Sequence, residues 1–279
     1  MPKIPFFKLS GCGNDFIIID NRKKVVDKKN ISNFILAICK RKISVGADGV
    51  ILIENSKIAD FRWHFFNSDG NIAEMCGNGA RCAARFAYLN GITGSAMSFE
   101  TIAGIVSARV ADNGMVTIKT TDPVDFSYDY YLELNNGSLN VSSINTGVPH
   151  VVVSVDDLDK TEVFQLGRDI RFHAKYSPAG TNVNFVYLRN NNSLAIRTYE
   201  RGVENETLAC GTGAIASALV MACKEDIKSP VRVRTRSGGT LIVHFKGKEG
   251  NFHDVYLEGD ARIVFDGKLW EDAWCERND

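Results

Sequence analysis

The chain reads as an α/β protein built twice. The expectation is two pseudo-symmetric domains from an internal repeat, each a mixed sheet wrapped around a central helix, with an active site in the cleft between them. Three observations carry it. The phrase Cys76-Gly77-Asn78-Gly79-Ala80 returns as Cys210-Gly211-Thr212-Gly213-Ala214, 134 residues further on in a chain of 279. At the same offset, Thr101-Ile102-Ala103-Gly104 is matched by Thr235-Arg236-Ser237-Gly238. Each half also runs in the order strand, glycine turn, cysteine-led helix and hairpin.

In the first half, residues 15–20 follow the turn Gly11-Cys12-Gly13 and form an apolar strand, as do residues 49–54. Residues 61–66 are aromatic and end in the turn Asn67-Ser68-Asp69-Gly70. Between the first two strands, Phe34, Ala37 and Ile38 stand at helical spacing and predict a helix over 33–42. A second helix follows Gly79 and stops near Leu89, before Asn90-Gly91. Residues 105–110 and 115–118, around Asp112-Asn113-Gly114, predict a hairpin. Asp122-Pro123 breaks the pattern, so the first domain is taken as 1–122, joined by the tail 266–279, and the second as 123–265. In the second half, residues 146–156, 184–187 and 195–199 predict strands. Residues 214–223 form a helix apolar on all sides, which places it inside its domain. A hairpin from Val231 through 241–243 to 255–257 closes the repeat.

Composition excludes several classes of function. Lys+Arg and Asp+Glu both number 33, and no long basic tract offers itself to nucleic acid. No run of eighteen apolar residues is present and the N-terminus has no signal-peptide pattern, so neither membrane span nor export is expected. The seven cysteines include no Cys-x-x-Cys pair, and the five histidines show no grouping that suggests a metal. A reducing cytoplasm, with no disulfide framework and no structural metal, is the expected setting. No lysine motif for a pyridoxal Schiff base stands out.

The chemistry rests on the two repeated cysteines. A helix starting just after Cys76 or Cys210 leaves its first N–H groups without intrahelical partners and places partial positive charge there. A thiol in that field is easier to ionise. The neighbouring glycines let the backbone approach an anion closely. A carboxylate held between two such helix ends sets its Cα between two thiols. One, as thiolate, removes the α-proton while the other delivers a proton to the opposite face. Three other readings stay open. The two cysteines are inert buried residues, like Cys39, Cys82 and Cys223; they are a redox pair; or the protein binds a ligand without turning it over. Cys12, in a turn near the expected cleft, is undecided.

Seven phrases, in this order, resemble the diaminopimelate epimerase family over essentially the whole chain. They are Asn14-Asp15-Phe16, Gly46-Ala47-Asp48-Gly49, Phe66-Asn67-Ser68-Asp69-Gly70, Cys76-Gly77-Asn78-Gly79-Ala80-Arg81-Cys82, Gly147-Val148-Pro149-His150, Tyr199-Glu200-Arg201-Gly202 and Ala209-Cys210-Gly211-Thr212-Gly213. The resemblance implies a cofactor-independent epimerase that interconverts LL- and meso-2,6-diaminopimelate, on the route to lysine and peptidoglycan. It implies that Cys76 and Cys210 are the acid–base pair. Gly77, Asn78, Gly211 and Thr212 would cradle the reacting carboxylate, and Asn14, Asn67, Asn182, Glu200 and Arg201 would bind the rest of the substrate. His150 and Glu200 would tune the thiols. Read alone, Arg201 is equally a surface ion pair, Asn67 and Asn182 turn formers, and His150 a strand-end histidine. The partner implied is a small amino-acid substrate, with a homodimer as the assembly to test. A racemase of another amino acid, such as proline, is the alternative on the same plan. Val148, Gly49 and a longer loop at 202–206 depart from the family pattern and bear on distal recognition.

Overall fold

In the computed structural model, residues 3–135, 137–190 and 192–275 are described. They divide into two compact units. Unit 1 runs to Ile118 and resumes at Asp260; unit 2 is Lys119–Gly259. Of the tail expected to close the first repeat, residues 276–279 lie outside the described residues.

In unit 1, β1 (Ile4–Gly11) pairs antiparallel with β2 (Asn14–Asp20) across a turn in which Cys12 and Gly13 both have positive φ. β2 lies parallel to β3 (Gly49–Glu54), with α1 (Ile31–Cys39) as the crossover. β3 pairs antiparallel with β4 (Phe61–Asn67), which carries the short β5 (Ile72–Ala73). Then come α2 (Gly77–Leu89), β6 (Ala96–Thr101) parallel to β4, and the antiparallel pair β7 (Gly104–Val110) and β8 (Val116–Lys119). The Ile17 to Ile19 run has no alternation because both its faces are covered. Ile17, Ile19, Val50 and Leu52 pack with Phe34, Ile35 and Ile38 of α1. The opposite face meets α2, where Phe16, Ile51 and Trp63 surround Gly79. Residues such as Ala80, Ala83, Ala84 and Ala87 are small enough to let strands β1, β2, β3 and β7 close round that helix.

Unit 2 repeats this order. After the hairpin β9 (Val124–Leu134) and β10 (Gly137–Asn145), β11 (Pro149–Ser154) runs antiparallel to β10. The crossover α3 (Val163–Arg171) leads to β12 (Asn182–Asn190), parallel to β11. β13 (Ser193–Glu200) pairs antiparallel with β12 and with the short β14 (Asn205–Thr207). α4 (Gly211–Glu225) precedes β15 (Val231–Arg234), parallel to β13, and the antiparallel β16 (Thr240–Lys248) and β17 (Asn251–Gly259). The apolar α4 contacts seven strands of its unit. The last strand, β18 (Arg262–Leu269), lies antiparallel to β1, as β9 lies along β10. Unit 1 therefore completes its sheet with the chain's C-terminal segment. The first helix covers 31–39 instead of 33–42, because Lys40 turns to an extended backbone (ψ 110). Among the described residues, no helix is long and apolar enough to cross a membrane.

Candidate active site

Both repeated cysteines are helix N-caps. Cys76 and Cys210 have extended backbones, and each sulfur accepts the N–H of the residue three positions on, Gly79 and Gly213, both at 3.4 Å. Helical bonding begins with the Ala80 N–H to Cys76 C=O and the Ala214 N–H to Cys210 C=O. The N–H groups of Gly77, Asn78, Gly211 and Thr212 thus belong to the first turn, which has no intrahelical acceptors for them. Each unit presents a thiol beside donors at the positive end of a helix.

In unit 1 a directed chain of hydrogen bonds supports this end. Asp48 Oδ2 accepts from Asn14 Nδ2 at 3.0 Å, Asn14 Oδ1 from Asn78 Nδ2 at 2.7 Å, and Asn78 Oδ1 from Arg81 Nη2 at 2.7 Å. A carboxylate only accepts and a guanidinium only donates, so the two ends fix both amide orientations. Arg81, wholly buried, also donates to the carbonyls of Gly77 (3.2 Å) and Asp260 (3.4 Å). Arg41 anchors the far end, bonded to Asp48 Oδ1 at 2.8 Å and to Asp15. Asn67 ends β4 in register with Gly49, and Ser68 N–H donates to Asp48 C=O at 3.0 Å. Its side chain is exposed and makes no hydrogen bond among the described residues. Gly49 is a packing glycine, since a Cβ would lie 2.5 Å from the Phe66 carbonyl oxygen and 2.6 Å from the Phe65 ring.

In unit 2, in-register pairing of His150 with Asn182 and Val183 with Tyr199 aligns the ends of β11, β12 and β13. Asn182 donates to Pro149 C=O (3.1 Å) and accepts the Arg201 N–H (2.9 Å), which fixes where the arginine leaves the strand. Arg201 Nη1 donates to Ala179 C=O at 3.1 Å, and among the described residues no carboxylate forms an ion pair with it. Burial pushes the Glu200 carboxyl up. Thr146 Oγ1 donates to Thr212 C=O at 3.1 Å, and the Thr212 hydroxyl lies 3.5 Å from Cys210 Sγ. Asn184 and Thr198, which the sequence reading passed over, form a buried set with His150. A Cβ on Gly213 would lie 2.2 Å from Asn184 Oδ1, so only glycine lets this amide reach the first turn of α4.

Burial pushes the remaining inner thiols up, Cys12 to about 11 and Cys39 to about 12, and Cys82 in the same direction. Cys12, left undecided by sequence, is a protonated thiol held against Asp260 Oδ1 at 3.3 Å. Among the described residues no group of three or more His, Cys, Asp or Glu side chains is placed to hold a metal. Two surface hollows of unit 1, of about 850 and 550 Å³, are lined by neither Cys76 nor Cys210 nor by any of the expected substrate-binding residues.

Burial, aided by the Arg201 charge, lowers the His150 pKa from 6.5 to about 3. The unfolded chain binds this proton below 6.5 and the folded one only near 3. Stability therefore falls as pH drops through that interval. Urea unfolding from pH 7 to pH 4 should show a shallower acid loss in a His150→Gln variant than in the parent. Equal slopes would refute a neutral buried imidazole.

A family model described as diaminopimelate epimerase matches residues 6–126 and 142–264. The diaminopimelate epimerase of Aquifex aeolicus is 46% identical over 277 residues, covering 96% of this chain and 98% of that one. That of Methanocella arvoryzae is 38% identical over 282 residues, with coverages of 96% and 98%. Among solved structures, a Bacillus anthracis phenazine biosynthesis protein of the PhzF family superposes with a TM-score of 0.73 at 16% identity, covering 97% of this chain and all of that one. A hydroxyproline epimerase from Agrobacterium vitis gives 0.69 at 14%, covering 97% and 93%. These last two show a shared fold. The matched family model spans both repeats, and the curated relatives align along nearly their whole length: this chain belongs to the diaminopimelate epimerase family.

Proposed function

We propose that the protein inverts one α-carbon of 2,6-diaminopimelate, interconverting the LL and meso isomers, with Cys76 and Cys210 as its two acid–base groups and no cofactor. The observation that carries this reading is the repeated cap, one cysteine sulfur beside glycine-rich helix N–H groups in each unit. The α-carboxylate binds those N–H groups, which stabilise the carbanion character that develops when the α-proton leaves. One thiolate takes that proton and becomes a thiol; the other thiol gives its proton to the opposite face and becomes a thiolate. The protonation states are exchanged, and the next turnover runs the other way. Arg201 suits the distal carboxylate as a two-pronged donor, and Glu200 suits an ammonium group. Asn14, Asn67, Asn78 and Asn182 supply amides that read the remaining polar atoms. The setting we propose is the cytoplasm, whose reducing conditions keep both thiols reduced.

The test is exchange in deuterated water, followed by proton NMR. Incubation with LL- or meso-diaminopimelate should replace the α-proton with deuterium as the isomers equilibrate, while proline under the same conditions keeps its proton. Retention of the proton by diaminopimelate with its loss from proline would overturn the substrate assignment.

A further inference from the structure

Asn184 is the third residue of β12, between Val183 and Phe185, with no exposed surface. A polar side chain at such a position costs free energy unless every hydrogen bond is made. Its partners fix its orientation. The Val151 carbonyl can only accept, so the Asn184 amino group faces it at 3.1 Å. The amide oxygen then accepts from Thr198 Oγ1 at 2.9 Å. The second amino hydrogen is directed at His150 Nδ1, 3.0 Å away. A neutral ring nitrogen that accepts carries no proton, which leaves the single proton on Nε2. Among the described residues that Nε2 is buried and meets no hydrogen-bond partner. A donor so placed awaits an acceptor.

We infer that Asn184 is a positioning residue for the reaction: it locks His150 in the Nε2–H tautomer, so that His150 offers a hydrogen bond to an acceptor in the site and does not itself take a proton. A backbone carbonyl fixes the amide, the amide fixes the ring, and Gly213 brings the same amide against the helix turn capped by Cys210. The inference rests on the proposed function in one respect, the membership of His150 in the reacting machinery. The tautomer itself does not depend on it.

Nitrogen NMR of the full-length protein labelled with ¹⁵N-histidine decides the matter, with the His150 signals assigned by their loss in His150→Gln. At pH 7 the parent should show a pyridine-type Nδ1 and a pyrrole-type Nε2; the reverse pattern overturns the inference. Asn184→Asp replaces the donor with an acceptor and should move the proton to Nδ1. Its kcat should fall about tenfold or more, while KM stays within about twofold. Should that variant not fold, Asn184→Ala should give mixed tautomers with the same split between kcat and KM. Thr198→Val keeps the amino group anchored on Val151, so it should keep the parental spectrum; a switched tautomer there would count against the scheme. A switched tautomer at unchanged kcat in Asn184→Asp also overturns the positioning role. Wild-type turnover in His150→Gln would instead sink the reading of His150 as part of the reaction, and the spectrum would still report the tautomer.

Discussion

Replacing Cys76 or Cys210 by serine is expected to lower kcat for diaminopimelate epimerisation by about 10³-fold, with little change in KM or in melting temperature. The substitution separates chemistry from structure. A serine hydroxyl still caps the helix, whereas alanine would also remove a capping interaction worth about 1 kcal/mol. The hydroxyl is far too weak an acid to serve as the proton donor or to exist as the base near neutrality. On the proposed reading binding should persist, because backbone N–H groups that neither substitution touches would hold the carboxylate. A second signature follows from having two bases. With one thiol left, the stereoisomer that offers its α-proton to that thiol can still exchange slowly with solvent, but it cannot be inverted. Cys76→Ser and Cys210→Ser should therefore prefer opposite isomers in deuterium exchange. Near-normal epimerisation by either variant would refute the two-base scheme, and the same isomer preference in both would refute the division of labour.

The repeat was legible because its signal is local. Cysteine, glycine and small residues recur at fixed spacing, and the fold needs them where a cysteine caps a helix and where a sheet closes round it. The buried strands 49–54 and 61–67 announced themselves through apolar runs bounded by turns. The elements that went unseen have no such signature. β9 exposes most of its residues and holds Asp125 and Asp129 at positive φ, so neither alternation nor composition marks it as a strand. α3 is nine residues long with Gly167 inside it. β18 is exposed along most of its length and owes its place to β1, more than 250 residues away in sequence.

The same contrast holds within the site. Asn14, Asn78 and the cysteines lie in phrases that a resemblance could single out. Asn184 and Thr198 stand alone in strands, one polar residue among apolar neighbours, and only tertiary contact shows that they face each other and His150. Those contacts also make the two repeats unlike. The region under the α2 end in unit 1 is aromatic and aliphatic, with Phe16, Ile51 and Trp63 round Gly79, whereas the Asn184 amide lies against Gly213 in unit 2. The two cysteines of the repeat therefore cap helices with different surroundings.

Arg81→Met is expected to destabilise unit 1 by about 3 kcal/mol and to raise KM about tenfold. Methionine fills much the same volume, so the loss is not one of packing. The guanidinium donates to Asn78 Oδ1 inside the protein and to the carbonyls of the half-buried Gly77 and Asp260. Without it, the Asn78 oxygen loses its donor inside the protein and the Asp260 carbonyl loses one at a half-buried position, at about 1–3 kcal/mol for each acceptor left unpaired. Relief from burying a charge offsets part of this, which keeps the total near the lower end. In a unit of this size the melting transition should drop by about 5–10 °C. The effect on KM has a separate origin. Arg81 is the donor-only end of the chain that runs through Asn78 and Asn14 to Asp48, and without it the Asn78 amide, beside the first turn of α2, is held only from the Asp48 side through Asn14. Arg81→Lys keeps a donor but cannot reach three acceptors at once, so it should recover part of the stability and less of the binding. A methionine variant that melts with the parent and binds substrate with the parental KM would show that the buried guanidinium sets neither the helix end nor the amides beside it.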